Sequence, residues 1–399
     1  MRTAVQNEFL QLIRYEIAGT PLPEGFAVSD EAALIEISEK HDLTHLLFDA
    51  LTCNSVPFKS DLPMQRYYAA IWRCEQMDHE LKEISSVFGE NGVDYMPLKG
   101  SVVRGLYPQR WMRTSADIDI LIRPEDIEKA ETLLKEKLNY GTESEQTSEH
   151  HDSFFSPVNR IHLELHKMLF EKILENKPYY KAFSDIWNIA VPSAGRKPHR
   201  YALPDDYFYV YHIAHMEKHV SEMGGIAVRG LIDLWLLNGQ GKNGPSENCL
   251  KLLEENGLLN FEERLRTQTE SWMKDLPSEN EDLEQYILNG YLYGSEDRST
   301  SIGVQRAGKT AYIKDRIFLP YDSLKTAFPV LKKYPVLTPV FEIVRIVKRL
   351  ASPERRNKGL KELASVNRLD ENSAEQTRLK DLRQYLDIRD GSPHSLFRH

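Results

Sequence analysis

The run Asp117-Ile118-Asp119-Ile120-Leu121-Ile122 constrains this chain more than any other stretch. It is strand-like, and side chains at i and i+2 of a strand share a face. Asp117 and Asp119 therefore stand side by side, which is costly unless a cation or a bound proton separates the charges. A divalent metal ion, hard and satisfied by carboxylate oxygens, is the obvious cation.

The surroundings of this run alternate in period. Residues 94–99 read as a strand, residues 102–106 as a short helix and residues 117–122 as a second strand. Pro124-Glu125-Asp126 starts a helix that runs to Tyr140-Gly141, with acids at the positive end of its dipole. Two further strands are expected at residues 152–158 and 160–166. The order β-α-β-α-β-β implies a small α/β unit with a mixed sheet. On either side the pattern is helical. The expected class is α+β, with a mixed-sheet core at residues 91–200 between a helical region at 1–90 and a mainly helical one at 201–399. Residues 294–309 read as a mobile polar loop. Residues 311–350, apolar but rich in proline, read as extended segments and short helices, and the last residues of the chain as disordered.

Length and composition narrow the classes. A chain of 399 residues exceeds one compact core, so two or three domains are expected. A net charge of −9 argues against a general polyanion binder, though not against a local basic cleft. The first residues carry no apolar leader segment, and no run nears the ~18 apolar residues of a membrane span. Cys53, Cys74 and Cys249 are scattered, which suggests a reducing, cytoplasmic setting.

Three sequence features together suit metal-assisted nucleotidyl transfer. Gly100-Ser101 sits between a strand and a helix, where backbone N–H groups can cradle phosphate and glycine permits close approach. Asp117 and Asp119 share a strand face. Glu164, in Ile161-His162-Leu163-Glu164-Leu165-His166, alternates onto one face with His162 and His166, and completes a three-carboxylate set if its strand lies beside the aspartate strand.

At this point the chain resembles a family. Leu98-Lys99-Gly100, then Arg113 ahead of Asp117-Ile118-Asp119, then Glu164-Leu165-His166, look like the bacterial uncharacterised nucleotidyltransferase family of the polymerase-β-type superfamily. His215-Met216-Glu217-Lys218-His219 and Arg229-Gly230-Leu231-Ile232-Asp233-Leu234 resemble its downstream motifs, and the likeness spans roughly residues 60 to 240. Fifteen residues separate Ser101 from Asp117, more than is common, and Glu stands where the third carboxylate is often Asp. The resemblance implies a nucleotidyltransferase core in which Asp117, Asp119 and Glu164 hold Mg2+ (or Mn2+) and Gly100-Ser101 holds the triphosphate of an NTP, ATP foremost. It places Lys99, Arg113, His166, His215, Lys218 and His219 toward phosphate or an acceptor, which is an unidentified small molecule, protein or RNA.

Plainer readings stand beside these. An Asp-x-Asp pair alone is most simply a solvated strand face. His215 and His219 share a helix face and could merely pack or bond to Asp233, for which Arg229 is the nearest partner in sequence. Arg110 to Arg113 could be a loop anchor. The basic residues Lys332, Lys333, Arg345, Lys348, Arg349, Arg355, Arg356 and Lys358 could meet RNA or anionic lipid, or form a solvated face, while Phe341, Val344, Val347 and Leu350 read as core. A degenerate fold that binds nucleotide or a protein partner without turnover is the alternative to an enzyme.

Overall fold

The computed structural model describes residues 1–142, 150–193, 195, 198–291, 294–319, 321–370 and 373–388. At its centre is a five-stranded sheet of β1 (Tyr95–Pro97), β2 (Asp117–Ile122), β3 (Gly141–Thr142), β4 (His151–Phe155) and β5 (His162–His166), in the order β1-β2-β5-β4-β3. β2 runs parallel to β5, and the other pairings are antiparallel. The sheet is mixed, as the alternation of elements implies. β2 spans the residues expected, β1, β4 and β5 are shorter than expected, and β3 carries too little apolar sequence to be read in advance.

Helices surround the sheet. Before it lie α1 (Ala4–Ala18), α2 (Glu31–Lys40), α3 (Thr44–Cys53) and α4 (Leu62–Glu90). Within it lie the single turn α5 (Gly100–Val103) and α6 (Ile127–Lys137). After it come α7 (Pro178–Ala182), α8 (Asp205–Met223), α9 (Val228–Leu237), α10 (Glu247–Glu255), α11 (Leu259–Met273) and α12 (Glu281–Leu288). The C-terminal part holds α13 (Glu296–Ala307), α14 (Lys309–Ile317), α15 (Tyr321–Ala327), α16 (Val330–Lys333), α17 (Thr338–Ala351), α18 (Pro353–Arg368) and α19 (Ala374–Tyr385).

The strand alternation divides the core. Ile118, Ile120 and Ile122 of β2, with Leu163 and Leu165 of β5, pack against Ile84 and Phe88 of α4 and Ala130 and Leu134 of α6. The opposite face adds Met96, Leu98 and Leu121 to a larger core that gathers α1 to α3, α8 to α12 and α19. Helices from the expected first and third regions thus share one interior. Asp119, Glu164 and His166 lie on the sheet face turned toward this core, so burial surrounds the polar residues.

Two expectations for the C-terminal part are corrected. Residues 294–309 hold α13 rather than a mobile loop. Ser295 caps it by accepting from the Arg298 backbone N–H, and Ile302 and Val304 are buried. Residues 311–350 hold the short helices expected, α14 to α17, but extended backbone is confined to brief breaks between them, such as Phe318. Pro329, Pro335 and Pro339 stand at the starts of helical turns, where a missing N–H costs little. Pro320 and the final residues expected to be disordered lie outside the described residues. Val347 and Leu350, expected in the core, face solvent at 58% and 57% exposure.

The N-terminal helices give a pH prediction. Glu16 of α1 is buried, and desolvation, with a smaller push from Asp49 of α3, raises its carboxyl to about 8. The unfolded chain ionises this group near 4.5. The folded state therefore binds the extra proton, and its stability is fully present below 4.5 and lost as pH rises through about 8. Glu16→Gln is expected to flatten the decline in urea midpoint across that window. An unchanged pH profile in the variant contradicts the assignment.

Candidate active site

The register of β2 and β5 decides the site. Asp119 pairs with Glu164, and Asp117 with His162. The Glu164 strand lies directly beside the aspartate strand, which the three-carboxylate reading requires. Among the described residues, Asp119, Glu164 and His166 bring one ligand atom each to within 4.8 Å of one another, a group that does not include Asp117. Asp117 lies two residues along the same strand from Asp119, roughly 6.6 Å, as neighbours on one strand face do.

Each acid answers to its neighbours. Asp119 is almost fully buried, and its Oδ1 accepts from Lys99 Nζ at 2.7 Å and His166 Nε2 at 2.8 Å. Desolvation alone would raise its carboxyl, but Lys99 and His166 outweigh it and hold the group ionised, well below the usual range. Glu164 follows the same logic, with desolvation overcome by its hydrogen bond with His166, whose Nε2 lies 3.1 Å from Oε2. Asp117 does not gain such partners. Burial first, and the charge on Asp119 second, push its carboxyl up to about 6. The cluster thus holds more negative charge than its own cations offset, and its donors are hard oxygens. That is the condition a divalent ion relieves, so the residues fit Mg2+ or Mn2+.

The cations are anchored from several elements. Lys99 takes a left-handed backbone, φ 44°, at the turn into α5, and from there its ammonium reaches Asp119. Burial works against its charge, but Asp119, Glu164 and Asp117 together keep it protonated. Gly100 follows because a Cβ there would stand 2.2 Å from Ser115 Oγ. The Ser101 amide donates to the Leu98 carbonyl at 3.2 Å, so its hydroxyl, not its N–H, is the group this residue offers a phosphate.

Other residues named from sequence take different places. The Arg113 guanidinium grips Asp233 through Nε at 2.8 Å and Nη2 at 2.9 Å, and Tyr107 OH donates to the same carboxylate at 2.6 Å. Arg113 thus clamps the β1–β2 connection to α9. Asp233 finds its partner there, while Arg229 pairs with Asp42 at 2.7 Å. Sequence neighbours on a helix lose to a residue more than a hundred positions away because α9 packs against that connection. Lys218 donates to Glu171 Oε1 at 3.1 Å. His215 and His219 meet edge to face with ring centroids 4.5 Å apart. Burial first, and then the charges of neighbours including Lys99 and Lys218, push the His215 imidazole well below its usual range.

Three groups near the acids are missed by the sequence reading. Tyr211 of α8 is buried close enough to feel Lys99, Asp119 and Glu164, and desolvation raises its hydroxyl. His150 and His151 sit at the start of β4, where His151 pairs in register with His166. The histidine pair ahead of a strand was the available signal.

A family model described as "Uncharacterised nucleotidyltransferase" matches residues 28–274, more than half of the chain and inclusive of the whole sheet, α8 and α9. No curated protein and no solved structure matches.

Proposed function

The chain belongs to the uncharacterised nucleotidyltransferase family, and from that premise we propose that it transfers a nucleotidyl group from an NTP, ATP first, to an acceptor among small molecules, proteins and RNA. The observation that carries this reading is the in-register pairing of Asp119 with Glu164 beside Lys99. Asp117, Asp119 and Glu164 hold Mg2+ (or Mn2+), which when bound stabilises charge on the reacting phosphates. Lys99 offsets the charge of the incoming triphosphate, and Gly100 with the Ser101 hydroxyl lines its turn. The acceptor oxygen bonds to the α-phosphorus, the α–β phosphoanhydride bond breaks, and pyrophosphate leaves. The acceptor's proton passes to the carboxylate cluster.

The enzyme is proposed to work in the cytoplasm, in keeping with its three unpaired cysteines. No helix among the described residues is long and apolar enough to cross a membrane. The second reading, nucleotide binding without turnover, draws on Lys99 and His166 already occupying one oxygen of Asp119. Calorimetry with a non-hydrolysable NTP beside a pyrophosphate-release assay in a cell extract separates the two. Binding with pyrophosphate release supports transfer, whereas binding without release in any extract leaves only the second reading.

A further inference from the structure

Beside the carboxylates, three imidazoles converge. His150, His151 and His166 each bring a ring nitrogen to within 4.8 Å of the other two. His150 and His166 are buried, and His151 is partly so. The hydrogen bonds around them choose which nitrogen each presents. His166 Nε2 lies 2.8 Å from Asp119 Oδ1 and 3.1 Å from Glu164 Oε2, and carboxylates held ionised only accept, so this nitrogen carries a proton. Its Nδ1 is buried with no hydrogen-bond partner. His150 Nε2 lies 3.5 Å from the Leu169 carbonyl oxygen, another acceptor, which turns His150 Nδ1 toward His151 as a lone pair. His151 Nε2 is 3.7 Å from Glu164 Oε1, which biases this ring the same way. The Nδ1 atoms of His150 and His151 are hydrogen-bonded to each other at 3.0 Å, so one of them carries a proton that an ion bound there displaces.

We propose that His150, His151 and His166 form a binding site for a divalent transition-metal ion, zinc above all, separate from the oxygen-rich site for Mg2+. His166 and His150 are held through Nε2 by oxygen acceptors, the arrangement that orients metal-ligating histidines, and His151 Nε2 faces Glu164 at 3.7 Å. Zinc takes nitrogen at about 2.0–2.1 Å, so two tetrahedral ligands stand on the order of 3.4 Å apart. The Nδ1 pair needs only a small separation to reach that. Imidazole nitrogens suit zinc and its transition-metal neighbours and are poor ligands for magnesium.

Three histidines leave a fourth position open, as catalytic zinc sites do. Glu171 lies at its edge, 3.8 Å from His150 Nδ1 and held by Lys218. His166 joins the two sites, since the ring that offers Nδ1 to the metal holds Asp119 through Nε2. An ion on the histidines would fix the orientation of that aspartate.

The test uses the full-length protein, stripped with a chelator and titrated with Co2+ in excess Mg2+. Visible d–d absorption reads the coordination, and competition reads Zn2+ affinity. One Co2+ per chain is expected, and His150→Ala and His151→Ala should each weaken its binding by about 100-fold or more. Asp117→Asn should retain it. Circular dichroism checks that the variants fold, and the partly exposed His151 gives the safer of the two. No stoichiometric uptake, or uptake unchanged in both histidine variants, overturns the proposal. Uptake lost in Asp117→Asn but kept in His151→Ala places the ion on the carboxylates and overturns it as well. Nucleotidyl transfer that fails while Co2+ uptake follows the histidines counts against the proposed function and not against this site.

Discussion

Asp117→Asn is expected to reduce Mg2+-dependent pyrophosphate release on the order of 10³-fold without unfolding the protein. A metal ion supplies several kcal/mol of charge stabilisation at a reacting phosphate, and each ~1.4 kcal/mol lost is tenfold in rate. Asp117 suits the test better than Asp119. The Asp119 carboxylate is buried and bonded to Lys99 and His166, so an amide there disturbs packing as well as ligation. Asp117 instead carries a charge that burial and Asp119 oppose. Its replacement by Asn removes that conflict, so the metal-free variant should be at least as stable as the parent above pH 6. The double variant with Asp119→Asn should be inactive. Turnover in Asp117→Asn equal to that of the parent, measured at saturating Mg2+, contradicts the metal assignment.

Asp233→Ala is expected to cost about 3–5 kcal/mol of stability, the penalty for leaving one partner of a buried ion pair uncompensated. Asp233 is 1% exposed and receives three bonds from Arg113, two of them from Nε, and one from Tyr107. Truncation strands the Arg113 guanidinium and a tyrosine hydroxyl in the interior. It also frees the β1–β2 connection, which carries Arg113 on one side and leads into Asp117 on the other. Arg229→Ala, whose partner Asp42 is half exposed, should cost much less. Urea unfolding of the two variants measures the contrast. Equal losses would mean that Asp233 depends on its helical neighbour Arg229 after all, as sequence proximity suggests.

These cases show what kind of information the sequence carries. The alternation of Asp117 and Asp119 with apolar residues, and of Glu164 with Leu163 and Leu165, is local. It announces strands, their polar faces and a carboxylate site before any coordinates. The pairing of β2 with β5 is not local, but one polar face shared by two strands makes it the economical arrangement. Side-chain partners chosen by helix packing are another matter. Nothing near Asp233 in the chain points to Arg113, and nothing near His150 points to His166, because α9 and β4 meet those residues only in the folded molecule. The C-terminal part was misread for a further reason. Its prolines look like breaks in sequence, yet Pro329, Pro335 and Pro339 mark helix starts.

Transfer of label separates nucleotidyl transfer from other uses of an NTP most directly. The protein is incubated with Mg2+ and a cell extract, once with ATP labelled at the α-phosphate and once with ATP labelled at the γ-phosphate, and the exercise is repeated with the other NTPs. The account predicts that α-label becomes attached to an acceptor while γ-label is released in pyrophosphate, and that Asp117→Asn abolishes both. Attachment of γ-label, or no attachment of α-label from any NTP, contradicts it.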